Sequence, residues 1–115
     1  MKMNIQLCTL KTAAVAAFFS LASIQAQAAD IAEGQKKSAT CAACHGKDGN
    51  TPIDPSYPKL AGQHKDFLVR ALKDYKTGAR KNAVMGGQAA ALSSNDMDNL
   101  AAYYASLPGN LSTMK

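Results

Sequence analysis

The sequence predicts an all-α domain, and three observations support this fold class. Three segments of the 115-residue chain repeat apolar residues at the three- and four-residue spacing of a helix. No segment shows the apolar and polar alternation that is typical of a strand. Two irregular stretches separate the helical segments: residues 46–62, with three prolines, and residues 78–92, with a Gly-Gly pair. We therefore expect three main helices and long connecting loops.

The first two helices have clear signals at their ends. Asp30 caps a first helix that runs toward Cys41, and Gly34 within it indicates a close packing contact, because glycine otherwise weakens a helix. The second helix runs from about His64 to Thr77, with Gly78 as its C-terminal stop. An apolar face along this second helix predicts that it packs against the core.

The third helix has the most specific signals of the three. Ser93 and Asp96 have the spacing of a capping box, and an apolar stripe follows until Pro108 ends the helix. A loop as long as residues 46–62 counts against a compact domain unless something fills the space beside it. A flat apolar cofactor of haem size would fill the gap that three helices and two long loops leave.

The N-terminal segment has the pattern of a cleavable secretory signal peptide. Lys2 and Lys11 precede an apolar run of about 12 residues, and Ala26-Gln27-Ala28 supplies small residues at the cleavage positions. The run is shorter than the roughly 20 residues that a membrane span needs. We expect residues 1–28 to be removed and residues 29–115 to form one periplasmic domain without a membrane span.

The mature domain would be mildly basic. Without Lys2 and Lys11 it has 11 basic residues against 8 acidic ones, so its formal net charge is +3. The basic residues are scattered among acidic ones, with no aromatic residues interleaved, which argues against nucleic-acid binding.

One motif carries the chemistry. The run Cys41-Ala42-Ala43-Cys44-His45 has the spacing for covalent haem attachment, in which two thiols add to the haem vinyl groups and the adjacent histidine lies under the iron. The secretory pattern and the position of the motif between a helix and a loop favour this interpretation. The motif therefore predicts one haem c bound through Cys41 and Cys44, with His45 as an iron ligand.

Three other interpretations of the motif stay open. A thioredoxin-like redox dithiol would need strands and a helix that starts at the first cysteine. A structural zinc site would need four ligands, and Cys41, Cys44, His45 and His64 are poorly spaced for one. A disulfide between the two cysteines would close a very small loop.

The sixth iron ligand decides whether the iron is closed or open to substrates. Met85 is favoured because it lies 40 residues after His45 in a stretch predicted to be irregular, beside a Gly-Gly pair that lets the backbone approach a planar ring. Met97 lies on the apolar stripe of the third helix, His64 among polar neighbours, and Met114 at a C-terminus that is expected to fray.

With these residues, the chain resembles the class I bacterial cytochromes c, and most of all one half of the two-haem periplasmic carriers. The resemblance covers nearly all of residues 30–108. It rests on Gly34, Cys-Ala-Ala-Cys-His-Gly at 41–46, Asp48-Gly49-Asn50, Tyr57-Pro58-Lys59-Leu60-Ala61-Gly62-Gln63, Met85, and Leu92-Ser93 leading to Leu100-Ala101-Ala102-Tyr103.

The resemblance implies the class I cytochrome c fold, with long loops wrapped around one haem. It implies that the first and last helices cross at Gly34, near Leu100 and Tyr103. This crossing would explain a glycine inside a helix.

The resemblance also implies roles around the iron. The carbonyl of Pro58 would accept a hydrogen bond from the free ring nitrogen of His45, which fixes the imidazole tautomer. Met85 takes the axial methionine position of the family. A second methionine often follows three residues later, and this chain has Gln88 there.

Two filled axial positions predict a periplasmic one-electron carrier and not an enzyme, because no substrate can then reach the iron. The expected partners are redox proteins, with a reductase or dehydrogenase as donor and an oxidase or reductase as acceptor. Lys47, Lys59 and Lys81 are candidates for a docking face around the haem edge. An enzyme or gas sensor from which Met85 dissociates, and a haem subunit of a larger dehydrogenase, stay open.

Overall fold

The computed structural model describes residues 27–109 and residue 111. They form five helices: α1 (Ile31–Lys37), α2 (Ala39–His45), α3 (Lys65–Thr77), α4 (Ala83–Ala90) and α5 (Ser94–Ser106). No described residue is in a strand, so the predicted all-α fold class is confirmed. No helix in this part of the chain is long and apolar enough to cross a membrane. The predicted signal peptide falls almost wholly on residues 1–26, outside the described residues, and stays a prediction.

The predicted first helix is divided at Ser38. α1 begins after Asp30, whose side chain accepts two backbone hydrogen bonds from the first turn. The Ser38 hydroxyl then donates to the Gln35 carbonyl at 2.7 Å, and such bonds compete with the regular helical pattern. α2 follows at once and ends at His45. The prediction of one uninterrupted helix is therefore wrong, although the chain does run as a helix into the cysteine motif.

The stretch that was expected to be irregular around Met85 is helical over residues 83–90. Asn82 starts α4, because its side-chain oxygen accepts a hydrogen bond of 3.0 Å from the Met85 N–H. Packing against α3 then supports the helix, although each of its two glycines costs about 1 kcal/mol relative to alanine. The prediction of an irregular segment at these residues is wrong.

The other two helices end where the sequence signals predict. α3 stops at Gly78, whose φ of 79° lies in the left-handed region that glycine adopts without strain. α5 begins after Ser93, which forms a capping box with Asp96 in both directions. It ends at Ser106, and its C-cap residue Leu107 directly precedes Pro108. The second and third predicted helices are confirmed.

α5 is the centre of the fold, since both α1 and α3 pack against it. α1 crosses α5 at Gly34, where an added Cβ would overlap the carbonyl of Asn99 and the Cβ of Tyr103. Beside this crossing, the backbone N–H of Asp30 donates to the buried Asn99 side chain at 2.8 Å. The expected crossing at Gly34 is confirmed. The buried core consists of Leu68, Leu100, Ala101, Tyr103 and Tyr104.

The long loop between α2 and α3 is held in place by hydrogen bonds. Asp48 accepts three of them from the two residues that follow Gly49. The N–H of Leu60 donates to the Gly49 carbonyl at 2.8 Å, and the N–H of Gly62 donates to the Tyr104 carbonyl at 3.0 Å. The loop is thereby fixed against α5 and passes beside the end of α2.

Candidate functional site

A cavity of about 850 Å³ lies between α2, the long loop, α3, α4 and α5. This volume is within the roughly 300–1,000 Å³ that is typical of small-molecule and cofactor sites. Its lining includes the five residues that the sequence singled out: Cys41, Cys44, His45, Pro58 and Met85. The structure therefore brings together residues that are up to 44 positions apart in the chain.

His45 has a fixed orientation and a fixed tautomer. Its side chain is buried, and Nδ1 lies 2.7 Å from the carbonyl oxygen of Pro58. Because a carbonyl oxygen only accepts hydrogen bonds, Nδ1 carries the proton and Nε2 keeps its lone pair. The ring of Tyr57 meets the imidazole edge-on, with 6.1 Å between ring centroids. The hydrogen bond implied by the resemblance is present, and it leaves Nε2 able to ligate a metal.

The two cysteines occupy the last turn and a half of α2, three positions apart, so their side chains share one face of the helix. Both are partly buried and neither forms a disulfide. Burial raises the pKa of the Cys41 thiol above its ordinary value. The reactive first thiol of a redox dithiol instead has a lowered pKa at a helix N-terminus. Cys41 lies in the first turn of α2, but its pKa is raised and not lowered, so the site differs from a thioredoxin-like one.

Met85 is the methionine that lines the cavity in the described part of the chain. Its side chain is partly buried, and its backbone is held by the Asn82 cap of α4. Met97 is 2 % exposed and belongs to the apolar side of α5, which is the core position expected for it. His64 is exposed at the start of α3, and Met114 lies outside the described residues.

The residues of the cavity fit a covalently bound haem. Two thiols on one helix face, a buried imidazole with a free Nε2 and a thioether are the donor set that a c-type haem requires. Apolar side chains from α3 and α5, among them Leu68, Leu72 and Leu100, line the same space. No group of three or more His, Cys, Asp or Glu side chains in residues 27–109 is placed to hold a bare metal ion, which leaves the zinc interpretation without a ligand set.

Sequence reasoning missed three residues of the cavity. Arg80 and Tyr75 line it, and the Arg80 guanidinium lies 4.9 Å from the centroid of the Tyr75 ring. Their separation of five positions is not a helical spacing, so no local pattern indicated the contact. The hydroxyl of Tyr104 is also buried there, without a hydrogen-bond partner in the described structure. The apolar stripe of α5 predicted only that Tyr104 belongs to the core.

Comparison with known proteins identifies relatives of the chain. The family model described as cytochrome c matches residues 31–108. Cytochrome c4 of Pseudomonas aeruginosa is 48 % identical over 69 % of this chain and 39 % of its own length. The thiosulfate dehydrogenase electron acceptor of Stutzerimonas stutzeri is 40 % identical over 76 % of this chain and 44 % of its own length.

A solved structure of similar sequence has the same fold as this chain. The crystal structure of reduced recombinant cytochrome c4 from Pseudomonas stutzeri superposes with a TM-score of 0.67 and 41 % sequence identity. The superposition covers 73 % of this chain and 48 % of that one. The chain thus spans less than half the length of each of these three relatives.

Proposed function

Because the chain belongs to the cytochrome c family, we propose that it carries single electrons through one low-spin haem c with His45 and Met85 as axial ligands. Family membership supports electron transfer by a c-type haem in general terms. The observation that carries the finer proposal is the shared cavity, which Cys41, Cys44, His45 and Met85 all line. A haem bound there supplies an iron that alternates between the ferric and ferrous states.

The residues of α2 attach and orient the cofactor in this proposal. The thiols of Cys41 and Cys44 would form thioether bonds to the two haem vinyl groups and would so hold the haem covalently. His45 gives its Nε2 lone pair to the iron, and the hydrogen bond from Nδ1 to Pro58 keeps the imidazole from rotating.

Met85 would supply the second protein ligand of the haem iron. Its soft thioether sulfur favours the ferrous state and so raises the reduction potential, and the apolar walls of the cavity act in the same direction. With two side chains as iron ligands, the site would exclude water and substrates from the iron. This arrangement fits an electron carrier better than an enzyme or a gas sensor.

The compartment and the partners belong to the same proposal. The N-terminal pattern favours export to the periplasm, where covalent haem attachment takes place. The similarity to a thiosulfate dehydrogenase electron acceptor supports a dehydrogenase as the donor. Lys47, Lys59 and Lys81 are all exposed, which is compatible with docking on an acidic partner. Electron-transfer rates would then fall as ionic strength rises.

Intact-mass measurement on protein exported by a haem-attaching host tests the attachment. We expect the mass of residues 29–115 plus one haem that denaturant does not remove. Cys41→Ser and Cys44→Ser should each weaken attachment, and the double variant should abolish it. Wild-type protein without bound haem, despite a competent host, would refute the proposal and return the motif to thiol chemistry.

A matched pair of methionine variants tests the axial ligand. Met85→Leu should keep the haem attached and open the ferrous iron to carbon monoxide, seen as a change in the reduced absorption spectrum. Met97→Leu is the same chemical change in the core of α5. The ferrous iron of this variant should not bind carbon monoxide. If carbon monoxide leaves both variants unaffected, Met85 is not the ligand.

A permanent haem subunit of a larger dehydrogenase is the second candidate function, favoured by the 35 % identity of this chain to the cytochrome subunit of sulfide dehydrogenase of Chlorobaculum tepidum. The chemistry of the site would be unchanged, and only the association would differ. Size-exclusion chromatography of periplasmic extract from the source organism, monitored by haem absorbance, distinguishes a free carrier from a permanent subunit. Elution at the mass of one domain supports a free carrier, and elution in a stable larger assembly supports a subunit.

A further inference from the structure

The hydroxyl of Tyr104 is a buried polar group of the cavity that the proposed function leaves unused. Tyr104 is 4 % exposed and lines the cavity together with Cys41. Its hydroxyl oxygen is closed to solvent and has no hydrogen-bond partner among the described residues. Burial of a hydroxyl without a partner lowers stability. Native proteins retain few such groups, and each one calls for a structural or a functional reason.

This hydroxyl lies close to the sulfur of Cys41. Cys41 packs against the core cluster that contains Tyr104. Burial raises the pKa of the Cys41 thiol, and the Tyr104 hydroxyl acts in the opposite direction, as a dipole does when its positive end faces the sulfur. Burial and then the proximity of Cys41 raise the pKa of Tyr104, so the hydroxyl keeps its proton at neutral pH. A neutral dipole is therefore directed at the first of the two cysteines.

We propose that the Tyr104 hydroxyl raises the reduction potential of the haem by stabilising the ferrous state through the sulfur of Cys41. The inference rests on the proposed function, in which this sulfur becomes a thioether of the haem. Reduction adds one negative charge to the haem, and a dipole whose positive end faces that charge stabilises it. The effect is stronger among apolar side chains than in water, because the local dielectric constant is low. No proton moves, since the hydroxyl stays neutral in both redox states.

A hydrogen bond to Ser38 is the other explanation for the buried hydroxyl. Ser38 also lies near Tyr104. The Ser38 hydroxyl donates its own proton to the Gln35 carbonyl at 2.7 Å, so its oxygen is free to accept one. Such a bond would stabilise the junction of α1 and α2 and leave the reduction potential unchanged. The structure favours the redox role, because Tyr104 and Ser38 do not form this bond.

Tyr104→Phe removes the hydroxyl and keeps the ring, so the variant should fold and bind haem. Potentiometric titration of the purified haem-loaded protein at pH 7 should give a lower reduction potential than in the wild type. Tyr103→Phe is the matched control, since it makes the same chemical change at the neighbouring position of α5. The Tyr103 ring centroid lies 5.1 Å from that of Tyr104, and Tyr103 does not line the cavity. The potential of Tyr103→Phe should equal that of the wild type.

Proton NMR of the ferric protein gives a local measurement of the same effect. The resonances of the thioether bridge at Cys41 should shift in Tyr104→Phe, and those of the bridge at Cys44 should shift less. A purely structural role of the hydroxyl would not select one of the two bridges.

Three outcomes would count against the inference. Equal potentials in Tyr104→Phe and Tyr103→Phe, with haem attached in both, would overturn it and leave the electron-carrier proposal intact. A loss of stability in Tyr104→Phe at an unchanged potential would also overturn it and would assign the hydroxyl to the bond with Ser38. Absence of covalent haem in the wild type would instead refute the proposed function, and the inference with it.

Discussion

The imidazole Nδ1 of His45 lies 2.7 Å from the carbonyl oxygen of Pro58, 13 residues further along the chain. This contact joins the end of α2 to the long loop and determines which ring nitrogen is free to bind iron. A donor bond of this kind makes the imidazole a stronger electron donor and so favours the ferric state.

Pro58→Ala should therefore raise the reduction potential, because a less rigid loop weakens the hydrogen bond to His45. The proline also restricts the unfolded chain, so its loss should lower the free energy of unfolding by about 0.4–1 kcal/mol. Pro55→Ala is the control, since Pro55 is an exposed proline of the same loop and the His45 hydrogen bond goes to Pro58 instead. The account of the hydrogen bond would be wrong if both variants had the same potential.

Gly34→Ala should destabilise the domain. The added methyl group would overlap the Asn99 carbonyl and the Cβ of Tyr103, so α1 must move away from α5. Overpacking of this kind costs about 1–3 kcal/mol. Gln35→Ala changes the next, exposed position of α1 and should stay within about 0.5 kcal/mol of the wild type. Denaturant unfolding followed by circular dichroism measures both, and equal midpoints would contradict the crossing.

Tyr104→Phe should leave the free energy of unfolding at pH 7 unchanged or raise it by up to about 1 kcal/mol. The buried hydroxyl has no hydrogen-bond partner in the described structure, so its removal takes away a desolvation penalty. Tyr103→Phe, which removes the hydroxyl of the neighbouring tyrosine, provides the comparison. A clear loss of stability in Tyr104→Phe alone would show that the hydroxyl forms a bond in the folded protein.

The same tyrosine gives a prediction for alkaline pH. Burial raises the pKa of Tyr104 well above the ordinary value of 10.0. The folded state therefore keeps a proton that the unfolded state releases above about pH 10, and stability falls as pH rises through this range. Unfolding free energies measured between pH 8 and pH 11 should fall less steeply in Tyr104→Phe than in the wild type. An equal pH dependence of the unfolding free energy in Tyr104→Phe and the wild type would contradict the raised pKa of Tyr104.

Asp96 gives a prediction for acidic pH. Its carboxylate accepts a hydrogen bond of 2.9 Å from the Ser93 N–H and pairs with Lys37 at 3.0 Å. These contacts hold the pKa of Asp96 below its ordinary value of 3.8. The stability that they contribute is present above about pH 4 and is lost as pH falls below it.

Asp96→Asn should therefore lower stability at pH 7 and reduce the loss of stability on going from pH 5 to pH 2. Asp98→Asn is the control, because Asp98 is a half-exposed carboxylate of the same helix with a weaker contact to Lys65 at 3.8 Å. Ser93→Ala, which removes the other half of the capping box, should cost about 1 kcal/mol at both pH values. Equal acid sensitivity of Asp96→Asn and the wild type would contradict the prediction.

The sequence predicted those parts of the fold whose signals are local. The capping box at Ser93 and the glycine at position 78 specify helix ends through neighbouring residues, and both predictions are confirmed. α4 was missed because Gly86-Gly87 hides a helix that depends on the Asn82 cap and on packing against α3. The division at Ser38 depends on one side-chain bond to Gln35, which composition alone does not reveal.

The residues of the candidate site also fall into two groups, those with a local sequence signal and those that tertiary packing brings together. The cysteines and His45 form one contiguous motif, so their proximity follows from the chain itself. Met85 is 40 residues distant, and it was favoured by elimination and by resemblance before the structure placed it in the cavity. The stacking of Arg80 on Tyr75 and the burial of the Tyr104 hydroxyl arise from tertiary packing, for which the sequence carries no periodic signal.

The central claim is that the protein carries single electrons on an iron closed by His45 and Met85. The most direct test is a potentiometric titration of the wild-type haem protein monitored by absorption, together with reduced spectra recorded with and without carbon monoxide. We predict a single one-electron transition, sharp reduced bands that carbon monoxide does not change, and a weak methionine-to-iron band in the oxidised form. Binding of carbon monoxide by the reduced wild-type protein would contradict it, because the iron would then be open to a ligand and the site would suit an enzyme or a sensor.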